Sequence, residues 1–183
     1  YDNSPIDTTK LTLGEKIHYL TTYLPKFNTT SDGFILPMLA KTLEDNKPFE
    51  KYGCMFGQWK INGLRCIVGA ENNVGDLFNP IRLTYTSREG VRWNLSHLDE
   101  IIIPVIKGDI LDMMVEEGVC LDGELYLPGY SVNDINSFVK NNTLKQHYLL
   151  QYWCYDLCID IMHTKNRYNI LENQITPTFF DSK

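Results

Sequence analysis

Apolar residues recur along this chain with two different periods, and each period predicts a kind of element. Leu13, Ile17, Leu20 and Leu24 fall at steps of four, three and four, which is one face of a helix. Thr12 and Glu15 have capping-box spacing at its start, and Pro25 ends it. A polar loop over 26–34 leads into an apolar stretch, 35–41, broken by Pro37. From about 55 to 94 the pattern is strand-like. Gln58 and Lys60 alternate with Trp59 and Ile61, which predicts a strand with Gln58 and Lys60 on one face, followed by a turn at Asn62-Gly63. Residues 66–70 are rich in β-formers, 71–75 read as a hairpin or loop, and 82–87 alternate as a strand with one wet face. Residues 96–117 read as helical, with Ser96 as a cap and a break at Pro104. A strand over 119–127 ends at Pro128-Gly129, a helix follows over 132–140, and 148–157 is strongly β-prone. Helical character returns at 167–172, before Pro177 and a polar end. Strands and helices without regular β-α-β alternation predict an α+β fold with largely antiparallel sheets.

Composition narrows the picture. The 183 residues carry 43% hydrophobic and 22% charged side chains, enough for a core that does not depend on disulfides. A net charge of −6 argues against a generally basic nucleic-acid binder and leaves room for a local basic face. Four of the five arginines, Arg65, Arg82, Arg88 and Arg92, lie in one part of the chain. The five cysteines include no C-x-x-C pair, and four sit in apolar runs, which points to reduced core thiols in a reducing compartment. The four histidines have no zinc-ligand spacing, and no apolar run reaches the length of a membrane span. No signal peptide is visible, and the first residue is Tyr1 rather than Met, as in a fragment or a processed product.

Lys60 carries the sharpest question, because a lysine in an apolar strand loses hydration. It reads either as an edge lysine guarding a hairpin or as a nucleophile beside Arg65. Only a neutral amine attacks, and moving a lysine pKa from about 10.4 toward 7 takes roughly 4–5 kcal/mol. Partial burial and a neighbouring cation can supply this, so the second reading expects Lys60 to be held out of bulk water. Taken alone, Gln58 reads as a surface residue, and Glu124, on a strand face shared with Asp122 and Tyr126, as part of a turn. Tyr155, expected on one face with Trp153 and Leu157, reads by itself as a core tyrosine.

The segment Lys60-Ile61-Asn62-Gly63-Leu64-Arg65 resembles motif I, K-x-D-G-x-R, of the covalent nucleotidyltransferases, a superfamily of ATP-dependent DNA ligases, RNA ligases and capping enzymes. Ile35-Leu36-Pro37-Met38-Leu39-Ala40-Lys41 is similar to the lead-in of DNA ligases. Thr86-Ser87-Arg88-Glu89-Gly90 resembles motif Ia, Leu121-Asp122-Gly123-Glu124-Leu125 motif III, and Tyr152-Trp153-Cys154-Tyr155-Asp156-Leu157 motif IIIa. Asn166-Arg167-Tyr168-Asn169-Ile170-Leu171 is similar to the R-x-x-x-L helix that follows. The order matches from Pro37 to Leu171, with a viral or phage DNA-ligase flavour.

The resemblance implies a partial, N-terminal portion of a nucleotidyltransferase (ATP-grasp-like) adenylation domain over 35–183, preceded by an extension with one helix over 1–34. It implies an ATP-dependent DNA ligase acting on nicked double-stranded DNA in replication, repair or recombination. Lys60 would take AMP from ATP, AMP would pass to a 5′-phosphate, and the 3′-hydroxyl would displace it, with Mg2+ neutralising phosphate charge. Gln58 would read adenine, Arg65 would meet ribose or phosphate, Glu124 would bind ribose hydroxyls and help hold the metal, and Tyr155 would stack on the base. Arg88 would contact nucleotide or 5′-phosphate; Arg82, Arg92 and Lys41 would extend that face toward nucleic acid, or make surface ion pairs. The implied setting is the reducing interior of a cell, cytoplasm or nucleus of a host if the source is viral, with no membrane partner.

The sequence departs from the pattern in two places. Asn62 stands where the family has Asp, which keeps the turn and removes a charge. No motif IV glutamate-glycine and no motif V K-x-K follow Glu172, and the C-terminal OB domain is absent. The expectation is therefore that these residues alone adenylate poorly, the remainder being supplied by the rest of the same enzyme or by another chain. Alternatives are an RNA ligase, a capping-type nucleotidyltransferase, or a non-catalytic module of this type that binds nucleic acid or a partner protein.

Overall fold

A computed structural model describes residues 57–159, 162 and 164–175. The helix expected from Thr12, the stretch over 35–41 and Lys41 lie outside the described residues. Among the described residues, five strands form one antiparallel sheet in the order β3-β2-β1-β4-β5: β1 (Leu64–Asn72), β2 (Ile81–Ser87), β3 (Arg92–Trp93), β4 (Cys120–Tyr126) and β5 (Gln151–Cys158). The strands expected over 82–87, 119–127 and 148–157 are present with small shifts of their ends. One expectation fails: residues 57–63 form no strand, so Gln58 and Lys60 do not alternate across a sheet. Trp59, expected to share the opposite face with Ile61, is 94% exposed.

The helical stretch expected over 96–117 is broken as Pro104 requires. A 3-10 turn at Ser96–Leu98 runs into α1 (Asp99–Ile102), Pro104 sits in a second 3-10 turn at Ile103–Val105, and α2 (Gly108–Glu116) follows. α3 (Val132–Lys140) begins with a capping box: Ser131 Oγ accepts from the Asp134 amide at 3.3 Å, and the Asp134 carboxylate accepts from the Ser131 amide at 3.0 Å. α4 (Thr164–Gln174) packs beside β5.

Strand register divides the sheet into two unlike faces. Arg65 stands opposite Glu124 and Ile67 opposite Asp122, so these four side chains share one face. On the other face Cys66, Val68, Leu121, Leu125 and Leu157 are buried together with Met114 of α2 and Ile135, Phe138 and Val139 of α3. Each such side chain contributes about 1.5–3 kcal/mol by leaving water. One wall of the sheet is thus fixed by the core, which frees the other to carry charge.

All four described cysteines are free, and burial pushes each thiol up, Cys120 to about 11 and Cys154 to about 12. They are protonated packing residues, as their apolar surroundings predicted. No helix among the described residues is long and apolar enough to cross a membrane.

Candidate nucleotide site

The charged face centres on Arg65. Its Nε donates to Asp122 Oδ1 at 2.5 Å and its Nη2 donates to Asp122 Oδ2, a two-pronged bond from β1 to β4. Burial works against the charge on Arg65, but the bonds and charge of Asp122 more than offset it and hold its proton more tightly than usual. Burial pushes the Asp122 carboxyl above the usual carboxylate range, with Arg65 pulling the other way. The guanidinium also lies 5.1 Å from the centroid of the Tyr155 ring, within cation–π range.

Glu124 is held from two sides. Its Oε1 accepts from the Gly63 amide at 3.2 Å, and its Oε2 accepts from the Tyr155 hydroxyl at 3.4 Å. Burial raises the Glu124 pKa, opposed by the Gly63 bond, the Arg65 charge, the Tyr155 hydroxyl and the Lys60 charge. Burial, then the negative charge of Asp122, pushes the Tyr155 phenol up, so it stays a donor.

Two glycines permit this geometry. A Cβ on Gly63 would run into the Leu125 carbonyl oxygen and lie 2.9 Å from Glu124 Cγ. A Cβ on Gly123 would lie 2.6 Å from both the Trp153 carbonyl oxygen and the Tyr152 ring. The chain therefore passes close to β4 at Gly63, and β5 passes close at Gly123, only because neither residue has a side chain.

A bulge in β5 aims Tyr155. Asp122 pairs with Asp156 and Gly123 with Cys154, which leaves Tyr155 as the extra residue. The expectation that Trp153, Tyr155 and Leu157 share a face is overturned by this insertion. Trp153 stands opposite Glu124 and is half exposed, whereas Leu157 stands opposite Leu121 in the core. Tyr155 turns to the side of Arg65 and Glu124.

The remaining expected residues divide into those at the site and those away from it. Gln58 is exposed, and its Nε2 donates to the Tyr155 carbonyl at 2.9 Å, which ties the segment before β1 to β5. Lys60 is exposed, contrary to the expectation that it is withdrawn from water; the missing strand at 57–63 is the physical reason, since no sheet packs against it. Its charge nevertheless reaches Glu124. Arg88 sits on the turn between β2 and β3, built on buried Ser87: Ser87 Oγ accepts from the amides of Glu89 at 3.2 Å and Val91 at 3.0 Å. Arg82 and Arg92 both reach Glu71, at 2.7 and 3.7 Å, farther along the sheet.

A cleft of about 460 Å³ opens beside this group, lined by Arg65, Ser87, Arg88, Glu124, Asn136 and Lys140 among others. Sequence reasoning assigned no role to Asp122, Ser87, Asn136 or Lys140. Asp122 could have been found from its strand parity with Glu124. The other three needed the fold, which brings α3 and the β2–β3 turn to one end of the sheet. No described group of three or more His, Cys, Asp or Glu side chains could hold a metal by itself. Of the two carboxylates on the Arg65 face, Asp122 is committed to the guanidinium, whereas Glu124 is bonded to the Gly63 amide and the Tyr155 hydroxyl.

No family model matches the chain, and no curated protein matches it.

Proposed function

We propose that the protein is an ATP-dependent polynucleotide ligase of the DNA-ligase type, and that Gln58, Lys60, Arg65, Glu124 and Tyr155 bind its nucleotide. The observation that carries the reading is the convergence of Arg65, Glu124 and Tyr155 on one sheet face, with the segment bearing Lys60 tied to the same strand through Gln58. In the first step the Lys60 amine, after losing a proton, attacks the α-phosphorus of ATP. A P–N bond forms, the P–O bond to the leaving group breaks, and pyrophosphate departs. A 5′-phosphate oxygen then attacks the same phosphorus and frees the lysine, and a 3′-hydroxyl closes the phosphodiester as AMP leaves. Tyr155 offers a ring for the base, and the Tyr155 and Gly63 donors fix Glu124 where it can accept ribose hydroxyls. Magnesium, when bound, neutralises phosphate charge, and Glu124 would hold it.

The exposure of Lys60 and the clasp of Asp122 on Arg65 favour a second reading, a non-catalytic module of the same shape that binds nucleic acid or a partner protein. One experiment separates the two. The protein made from its complete gene is incubated with α-labelled ATP and magnesium, and covalent label is followed alongside nick joining. The ligase reading expects an acid-labile adduct that Lys60→Ala abolishes together with joining. Nick joining that survives Lys60→Ala, or absence of any adduct, overturns it. Labelling from GTP instead of ATP would point to capping chemistry, and joining of nicked RNA but not DNA would point to an RNA ligase.

A further inference from the structure

Two of the four described cysteines face each other across the sheet. Cys120 opens β4 and Cys158 closes β5, and the two are direct partners in the antiparallel ladder, so they form its last rung. Directly opposed residues of antiparallel strands have Cα atoms about 4.5–5.5 Å apart, inside the roughly 4.4–6.8 Å that a disulfide spans. Parity sets both thiols on the charged face. Cys120 is two residues from Asp122 and Cys158 two from Asp156, and those carboxylates form the next rung on the same side. The apolar core behind the sheet takes in Cys66 and Cys154 instead. Cys120 and Cys158 are both free, and they differ in access, Cys120 being partly exposed and Cys158 buried. Burial, then the negative charge of Asp122, raises both thiols, and Cys120 is near enough to Cys158 to add to its shift. A last rung opens more readily than the middle of a ladder, because it has neighbours on one side only, and that opening gives an oxidant access to Cys120.

We propose that Cys120 and Cys158 are a redox pair, which a small disulfide such as oxidised glutathione closes into a bond that locks the strands carrying Glu124 and Tyr155. Cys120 loses its proton and attacks one sulfur of oxidised glutathione. A bond between the Cys120 sulfur and that sulfur forms, and the other glutathione leaves as a thiolate. Cys158 then loses its proton and attacks the Cys120 sulfur, and the second glutathione leaves. The protein gives up two protons and two electrons, and both end on the two reduced glutathiones. The order follows from access, since Cys120 is the exposed partner. The new bond encloses residues 120–158 in one ring, with Glu124, α3 and the Tyr155 bulge inside it. The end of the ladder beside Asp122 and Asp156, where Arg65 and Arg167 are clasped, can then no longer open. In a reducing compartment a bond of this kind is transient and acts as a sensor. Nothing in these steps depends on what the charged face binds.

The protein from its complete gene is treated with oxidised glutathione, without denaturant, and its peptides are mapped by mass spectrometry with and without reductant. The wild type is expected to give a Cys120–Cys158 cross-link that dithiothreitol removes, and a urea midpoint that rises on oxidation and returns on reduction. Cys158→Ser is expected to stop at a glutathione adduct on Cys120, and Cys120→Ser to give neither adduct nor cross-link. Amide exchange at the start of β4 should slow in the oxidised wild type. The wild-type map needs no variant and decides the matter even where a variant folds poorly. A cross-link that appears only in urea, one that joins a different pair, or none at all overturns the inference. A Cys120–Cys158 cross-link that leaves both the urea midpoint and the exchange unmoved overturns the lock.

Discussion

Arg65 and Asp122 are joined by a two-pronged ion pair that crosses from β1 to β4 directly beneath the Tyr155 ring. The pair is asymmetric: the Asp122 side chain is 8% exposed and that of Arg65 24% exposed. The carboxylate thus depends on the guanidinium for its charge, while the guanidinium keeps one edge free for the cleft. Arg65 is held in orientation by the fold itself.

Removing the buried partner should therefore be costly. Asp122→Ala is expected to destabilise the fold by about 2–4 kcal/mol, near the ~3–5 kcal/mol range for breaking a fully buried pair and lowered because Arg65 is partly solvated. Replacing both residues, as in Arg65→Met with Asp122→Leu, should recover most of that loss. Urea denaturation of the wild type and these two variants measures this, and a double variant no better than the single would contradict it.

Gly63→Ala tests the close approach of the segment before β1. The added methyl meets the Leu125 carbonyl and Glu124 Cγ, so the backbone must move away from β4. A loss of about 1–3 kcal/mol is expected, together with loss of the amide bond to Glu124. Amide hydrogen exchange at position 63 should rise in parallel. A variant as stable as the parent with position 63 equally protected would show that the contact is slack.

His97 makes stability depend on pH. Its ring packs 4.5 Å from His147 and 5.2 Å from Tyr148, and its Nε2 is buried without a partner among the described residues. His147 Nδ1 is bonded to the Phe138 carbonyl at 2.8 Å. Burial, then the charge of His147, lowers the His97 pKa below its unfolded value. The folded state therefore favours the neutral ring. Its contribution is full above about pH 6.5, the unfolded value, and is lost as pH falls through and below that point. Between about pH 8 and about pH 5 the wild type should lose more stability than His97→Gln. Equal pH profiles for the two proteins would refute this.

Arg167 ties α4 to β5. Its Nε and Nη2 donate to the two Asp156 oxygens at 2.7 and 2.8 Å, and its Nη1 donates to the Met162 carbonyl at 2.6 Å. Lysine cannot reproduce this fork, so Arg167→Lys should cost about 1–2 kcal/mol. The loss should be local: exchange protection of α4 should fall before that of β4. Uniform loosening of the whole sheet would argue against it.

Much of this arrangement was legible in the chain because the signals were local. Alternation over 82–87 and 119–127 gives β2 and β4, and Pro104 divides the helical stretch before α2. Parity along β4 placed Glu124, Asp122 and Tyr126 on one side, as the pairing with Arg65 bears out. The failures come from contacts between distant segments. Gln58 and Lys60 alternate with apolar neighbours as a strand would, yet the close pass at Gly63 directs the chain along β4 before pairing begins at Leu64. The phase of β5 is reset by an insertion that shows only when β4 is laid beside it. Asn136 and Lys140 carry no signal of their own, because the helix that bears them is an ordinary amphipathic one until the sheet end is placed opposite.

The insertion at Tyr155 also sets the reading frame of its strand. One surplus residue lets Trp153 face outward and Leu157 inward although an even number of steps separates them. Deleting Tyr155 would therefore remove the ring and leave the rest in place: Trp153 would stay opposite Glu124 and Leu157 opposite Leu121, now by plain alternation, because an odd number of steps would separate them. The surplus residue is thus spare as far as the core is concerned: the strand could shed it and keep its inside and outside, and what it would give up is the ring beside Arg65 and Glu124.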